Sequence, residues 1–252
     1  MQATGLSLPA LAWCAVVLLA AGFARGYSGF GFSAIVVAGV GIVASPALAV
    51  PLAILLEVFA SLFQARSIWR QIAWRDALTM LAGSVLGNPL GVLILERTPA
   101  ETLKTAVYLG VLAVCAILLL ARPRERRLGD LAWLAIGLFA GVINGATALS
   151  GLIIVTVMAL TATPAARMRA TLIAYFFFSD FYAATLMTWR GLIGAPSLML
   201  FAGAIPIVAI GILLGSRRFL STSDAEFRKA TLLLLAALAV AGLATMALKN
   251  WT

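Results

Sequence analysis

The stretch AGFARGYSGFGFSAIVVAGVGIVASP, residues 21 to 46, decides how the whole chain is read. A glycine-rich break carrying Arg25 leads into a short apolar run, residues 32 to 44, that is closed by Ser45-Pro46. As a helix such a run reaches only about 20 Å, at about 1.5 Å per residue, against a hydrocarbon layer of about 30 Å. Residues 140 to 164, AGVINGATALSGLIIVTVMALTATP, repeat the plan: a broken approach, a short run over 148 to 161, and Thr163-Pro164.

Around these two stretches the chain is apolar throughout. Hydrophobic residues make up 63% of the 252 and charged residues only 11%, where a soluble domain carries about 25% charged. A water-soluble globular fold is thereby excluded. Punctuation by Gly, Pro and charge separates ten apolar segments, at residues 6 to 24, 32 to 44, 46 to 64, 77 to 95, 102 to 121, 131 to 143, 148 to 161, 170 to 188, 195 to 215 and 226 to 248. Lipid cannot satisfy exposed backbone polar groups, and the alternation a membrane barrel needs is absent, so these segments are expected to be helices.

The expected fold is an all-α polytopic membrane protein of two homologous five-segment halves: residues 1–121, a basic linker 122–130, and residues 131–252. Gly22, Gly26 and Pro46 match Gly141, Gly145 and Pro164. Trp69-Arg70 matches Trp189-Arg190, Gly83 and Gly91 match Gly203 and Gly211, and Ala100-Glu101 with Lys104 matches Ala225-Glu226 with Lys229.

Positive charge sets the parity. If all ten segments cross, 14 of the 18 Lys and Arg fall on one side, among them Arg25, Arg66, Arg70, Arg75, Arg122 to Arg127, Arg167, Arg169, Arg217, Arg218, Arg228 and Lys229. Only Arg97, Lys104, Arg190 and Lys249 face the other. Cytoplasmic loops carry the Lys/Arg excess, so ten crossings are favoured, with both termini outside the cytoplasm of a multi-pass cell (inner) membrane protein. Five crossings per half is an odd number, and the second half is then inverted relative to the first.

Several chemistries drop out. The chain has no His, so histidine catalysis and histidine metal ligation are impossible. Cys14 and Cys115 each sit within an apolar run and read as small hydrophobes. No metal and no cofactor is called for, and an intramembrane enzyme finds no H-E-x-x-H or G-x-S-x-G motif. The net charge of +9 reflects loop arginines between apolar runs, which suits anionic lipid and not nucleic acid. No Lys or Arg precedes Arg25, so the first run reads as a retained membrane segment. Trp69, Trp74, Trp133 and Trp189 stand near segment ends, where headgroup-level anchors sit. The oligomeric state is open.

Paired short segments with Gly/Pro breaks, at equivalent places in two halves, point to a transporter binding site near the midplane. An unwound glycine stretch leaves the first N–H groups of the next helix without intrahelical partners, and the helix dipole puts partial positive charge there. The ligand this favours is a small anion. Candidate binding residues are Arg25, Gly26, Ser28, Gly29, Gly31 and Ser33 at the first break, and Asn144, Gly145, Thr147, Ser150 and Gly151 at the second. The hydroxyls and amide would supply neutral donors to a tetrahedral oxyanion, with Arg25 supplying charge. Gly22-x-x-x-Gly26 and Gly141-x-x-x-Gly145 also fit close helix packing with no ligand. Glu57 and Asp180 are the acids placed well inside apolar segments, at a cost of about 2.5 to 3.5 kcal/mol each near the bilayer centre. They are candidates to carry coupling protons.

The opening Gly26-Tyr27-Ser28-Gly29-Phe30-Gly31-Phe32, its copy over Gly141 to Gly151, and the segments opened by Pro46 and Pro164 resemble the sulfite exporter family, TauE/SafE. The second copy reads Ala148-Leu149-Ser150-Gly151 where many members have three glycines in a row. The resemblance implies a small duplicated transporter without an ATPase domain that moves sulfite, thiosulfate or organosulfonates, often outward. The function expected is a secondary transporter of such an anion by alternating access, with an anion channel or a non-transporting assembly subunit as alternatives.

Overall fold

The structure, a computed structural model, describes residues 6–65, 69–120, 128–161 and 163–218, with scattered positions between 233 and 247. Arg66, linker residues 122 to 127, Arg228, Lys229, Lys249 and most of the tenth expected segment lie outside the described residues. Nine α-helices and no strand occur among those described: α1 (Leu8–Ser28), α2 (Phe32–Val40), α3 (Pro46–Gln64), α4 (Trp74–Arg97), α5 (Ala100–Leu120), α6 (Asp130–Thr147), α7 (Ser150–Leu160), α8 (Ala165–Trp189) and α9 (Ala195–Arg218). A 3-10 turn, Trp69–Gln71, precedes α4.

Helix starts follow local chemistry. The Ser7 hydroxyl accepts from the Ala10 N–H at the head of α1, and Pro46 opens α3 at a position where its missing N–H costs nothing. Seven helices, all but α2 and α7, are long and apolar enough to cross a bilayer. The chain is thus a multi-pass helical membrane protein. The two short helices have 9 and 11 residues, shorter than the apolar runs that contain them. In the first case Gly39 and Gly41 weaken the helix and the approach to Pro46 unwinds it.

Two helix pairs are packed alike. α1 lies against α9, and α4 against α6, each pair running parallel with backbone on backbone. Cβ atoms added to Gly22 and Gly141 would stand 2.7 Å from Val208 O and from Ser84 Cα. Gly87 meets Leu138, Gly141 and Val142, and Gly211 meets Leu19, Gly22 and Phe23. Gly91 approaches Val142, Gly145 and Ala146, and Gly215 approaches Phe23 and Tyr27. Counterparts by neighbour are therefore Gly87 with Gly211 and Gly91 with Gly215. This corrects the sequence pairing by one helical turn, since Gly203 has nothing within 4 Å while Gly83 abuts Leu134 and Gly137.

The middle of the bundle is α3 against α8. Leu62 and Ala65 border a groove with Ile173, Ala174 and Phe177, whereas Leu55, Phe59 and Leu62 border another with Phe181, Thr185 and Thr188. Thr171 Oγ1 accepts from the Ala73 N–H at 3.0 Å, beyond the end of α3. The two helices cross antiparallel. Among the tryptophans, Trp69 and Trp189 are exposed, but Trp133 is only 5% exposed and is a packing residue and not a headgroup anchor.

The backbone contacts predict opposite signs for two kinds of glycine substitution. Gly141→Leu should lower thermal stability in detergent by more than the ~1–3 kcal/mol usual for overpacking, because backbone cannot give way. Gly203→Ala, inside α9 and against open space, should raise it by about 0.5–1 kcal/mol. Equal effects of the two would mean that the α4–α6 contact is looser than described.

Candidate functional site

The helices before the two breaks end in the same way. α1 ends where the Gly29 N–H donates to Arg25 O at 2.9 Å, with Gly29 at φ 77°. α6 ends where the Ala148 N–H donates to Asn144 O at 2.8 Å, with Ala148 at φ 58°. An L-residue with a Cβ is strained there, and Ala148 is the one non-glycine residue with positive φ among those described. The missing glycine thus leaves the turn in place. Gly31, at φ 83°, then starts α2, and Leu149 starts α7; no side chain caps either N-terminus.

These two N-termini meet. Gly31, Ser33 and Ala34 of the first, with Ala148, Leu149, Gly151 and Leu152 of the second, line a single narrow pocket whose remaining wall is Glu57 and Phe176. Gly151 is needed for closeness, since a Cβ there would come within 2.7 Å of the Phe176 ring. Two unsatisfied helix ends facing one space make it electropositive through backbone alone.

Arg25 stands behind this wall, 0% exposed. Its Nη1 is 2.8 Å from Glu57 Oε1 and donates to Gly29 O at 2.6 Å. Nη2 donates to Ser61 Oγ at 2.7 Å, and the guanidinium carbon lies 5.0 Å from the Phe176 ring centroid. Ser33 Oγ donates to the second oxygen of Glu57, Oε2, at 2.6 Å. One carboxylate thereby ties the end of α1 and the start of α2 to α3. Removing either member of a buried pair costs about 3–5 kcal/mol, because the survivor is left uncompensated.

At the second break an amide stands where the first has the guanidinium. Asn144 Nδ2 donates to Asp180 Oδ1 at 2.7 Å, and Ser150 Oγ donates to Asn144 Oδ1 at 2.7 Å. Asn88 of α4, fully buried, donates to Ser84 O at 3.0 Å and to Ser179 Oγ at 3.2 Å. Glu57 contacts the Arg25 guanidinium directly, and Asp180 is near enough to interact with it through charge.

Of the residues singled out in the sequence, Ser33, Gly31, Gly151, Glu57, Arg25, Asn144, Ser150 and Asp180 converge on the pocket or its backing network. Gly26 and Gly145 are taken up against Ile212 and Asn88 in the helix pairs. Thr147 donates back to Ile143 O at 2.7 Å within its own helix, and the side chain of Ser28 lies outside the described part. Gly29 caps α1 with Arg169 beside it, and Arg169 donates to Gly26 O at 2.8 Å. Ser61, Asn88 and Phe176 are additions from the structure. Ser61 is one turn beyond Glu57, and Asn88 is the sole amide in its apolar segment, both legible signals; Phe176 carries none.

A family model described as Sulfite exporter TauE/SafE matches residues 14–242. No curated protein and no solved structure matches the chain.

Relief of the strain at φ 58° gives a direct test of the second break. Ala148→Gly should raise the unfolding midpoint, worth about 1–2 kcal/mol of left-handed strain less the backbone entropy of glycine. A fall in midpoint would show that Ala148 is not held in that conformation.

Proposed function

The chain belongs to the sulfite exporter TauE/SafE family, and on that premise we propose that it is a secondary transporter in the cell membrane, exporting a small sulfur oxyanion or organosulfonate by alternating access. The observation that carries this reading is the meeting of two uncapped helix N-termini, α2 and α7, at one pocket with Arg25 directly behind it. Helix ends and hydroxyls suit three or four equivalent oxygens, which sulfite, thiosulfate and sulfonates present. In this reading Arg25, Ser33 and the Gly31 and Gly151 backbone bind cargo, Asn144 and Ser150 position the second break, and Glu57 and Asp180 carry coupling protons.

Two arrangements support inverted halves. α3 and α8, at matching places in the two halves, cross antiparallel, as equivalents in an inverted pair must. The reciprocal docking of α1 on α9 and α6 on α4 is likewise what a pseudo-two-fold exchange of halves produces. With the charge asymmetry of the loops, this supports a reading of ten crossings, halves of residues 1–121 and 131–252, and termini outside the cytoplasm.

In proteoliposomes, counterflow of labelled thiosulfate should saturate, and Arg25→Ala should lower it at least about tenfold, the worth of one charge-assisted hydrogen bond. Ser33→Ala should fall between the two. Flux that rises without saturation identifies a channel, and its absence for thiosulfate, sulfite and methanesulfonate identifies a non-transporting subunit. For topology, Arg124→Cys and Lys249→Cys should react with an impermeant thiol reagent from opposite faces; labelling from one face overturns the inversion.

A further inference from the structure

The pocket presents an electrostatic conflict. The wall an anion meets is the Glu57 carboxylate, and the guanidinium that would attract it is one layer farther back, held by that same carboxylate at 2.8 Å. Phe176 covers one side of the guanidinium, while Gly29 O and Ser61 Oγ hold its edge. Arg25 Nε–H, fully buried, makes no hydrogen bond among the described residues, so one donor on this cation is still to be used. An anion and an ionised Glu57 cannot both lie against the same buried space without strong repulsion.

We propose that Glu57 is the cargo's internal competitor for Arg25: the anion pairs with Arg25 only as Glu57 takes up a proton, so that one proton binds with each anion. This rests on the transporter reading and assigns the coupling to one of its two acids. The exchange balances. The Arg25–Glu57 ionic contact is broken, an Arg25–anion contact is made, and a solvent proton goes to the Glu57 carboxyl, which keeps its place beside Ser33 as a neutral group. On release of the anion the proton leaves and the ion pair closes again.

The surroundings leave Glu57 as the group that can do this. Facing it are Arg25 from α1, the Ser33 hydroxyl from α2, and Asp180 from α8; Arg169 of α8 lies near Arg25, and Tyr175 of α8 near Asp180. α2 and α7 carry no titratable residue, and the charged groups of α4, α5, α6 and α9 lie near the helix ends. Asp180 is bound to Asn144 and is absent from the pocket lining.

The test is calorimetric binding of thiosulfate and of methanesulfonate to the purified protein, in two buffers that differ in ionisation enthalpy. Both probes are strong-acid anions and stay fully ionised between about pH 6 and about pH 8, so any proton taken up belongs to the protein. The wild type should take up close to one proton per anion and bind up to about tenfold more weakly for each pH unit raised. Glu57→Gln should bind tighter than wild type at the upper pH and take up none, while Glu101→Gln, exposed at the start of α5 and away from the pocket, keeps the uptake. Binding without proton uptake by the wild type overturns the proposal even if Glu57→Gln fails to fold. So does uptake that survives in Glu57→Gln. Binding of neither probe at any pH overturns the sulfur-anion reading itself, and the inference with it.

Discussion

A guanidinium with no exposed surface in the middle of an apolar bundle has to be answered, and Glu57 answers it. At an effective dielectric near 20, two unit charges about 4 Å apart attract by about 4 kcal/mol, comparable with the penalty of burying them. A pair so nearly balanced is a poor source of stability and a good switch. Its energy depends on whether one proton is present and whether a second anion is near. The rest of the local structure follows from holding this pair: α1 must stop at Gly29 so that its last turn points Arg25 inward, Gly29 O must turn back onto Nη1, and α3 must present Glu57 and Ser61 one turn apart.

The glycine contacts make that placement rigid. α1 cannot slide along α9, because Gly22, Gly26, Gly211 and Gly215 bring backbone against backbone with no side chain to yield. α6 is fixed to α4 in the same way through Gly137, Gly141 and Gly145. Both breaks begin one turn after these contacts, so the rigid pairs set where each short helix starts. In membranes such close approach replaces the hydrophobic drive that lipid removes. α1 is locked by α9 and α6 by α4, and the two pairs meet across α3 and α8.

Much of this was legible in the chain. The short segments, their glycine breaks and closing prolines mark α2 and α7, since Gly and Pro act through backbone conformation alone and need no partner to be read. Gly22 and Gly26 with Gly141 and Gly145 were recognisable as counterparts, yet their use in helix pairing depends on partners far along the chain. The Gly83–Gly203 pairing failed for a related reason: identity at a constant spacing ignores a one-turn shift, and only the neighbour of each glycine reveals it. Glu57 and Asp180 stood out as costly acids, but nothing in sequence says that one meets Arg25 and the other Asn144. Trp133 looked like an anchor by position and is buried by packing.

The helix ends before the two breaks are alike in backbone, and their chemistry is not. Arg25 and Asn144 occupy the same place in the last turn before each break, accepting from Gly29 and Ala148. Yet Arg25 pairs with a carboxylate on α3, whereas Asn144 reaches Asp180 on α8 by a neutral amide. An amide in the place of the guanidinium keeps the hydrogen bonding while removing the charge. The difference reaches the turns as well, where Ala148 stands at φ 58° in the place that Gly29 takes at φ 77°.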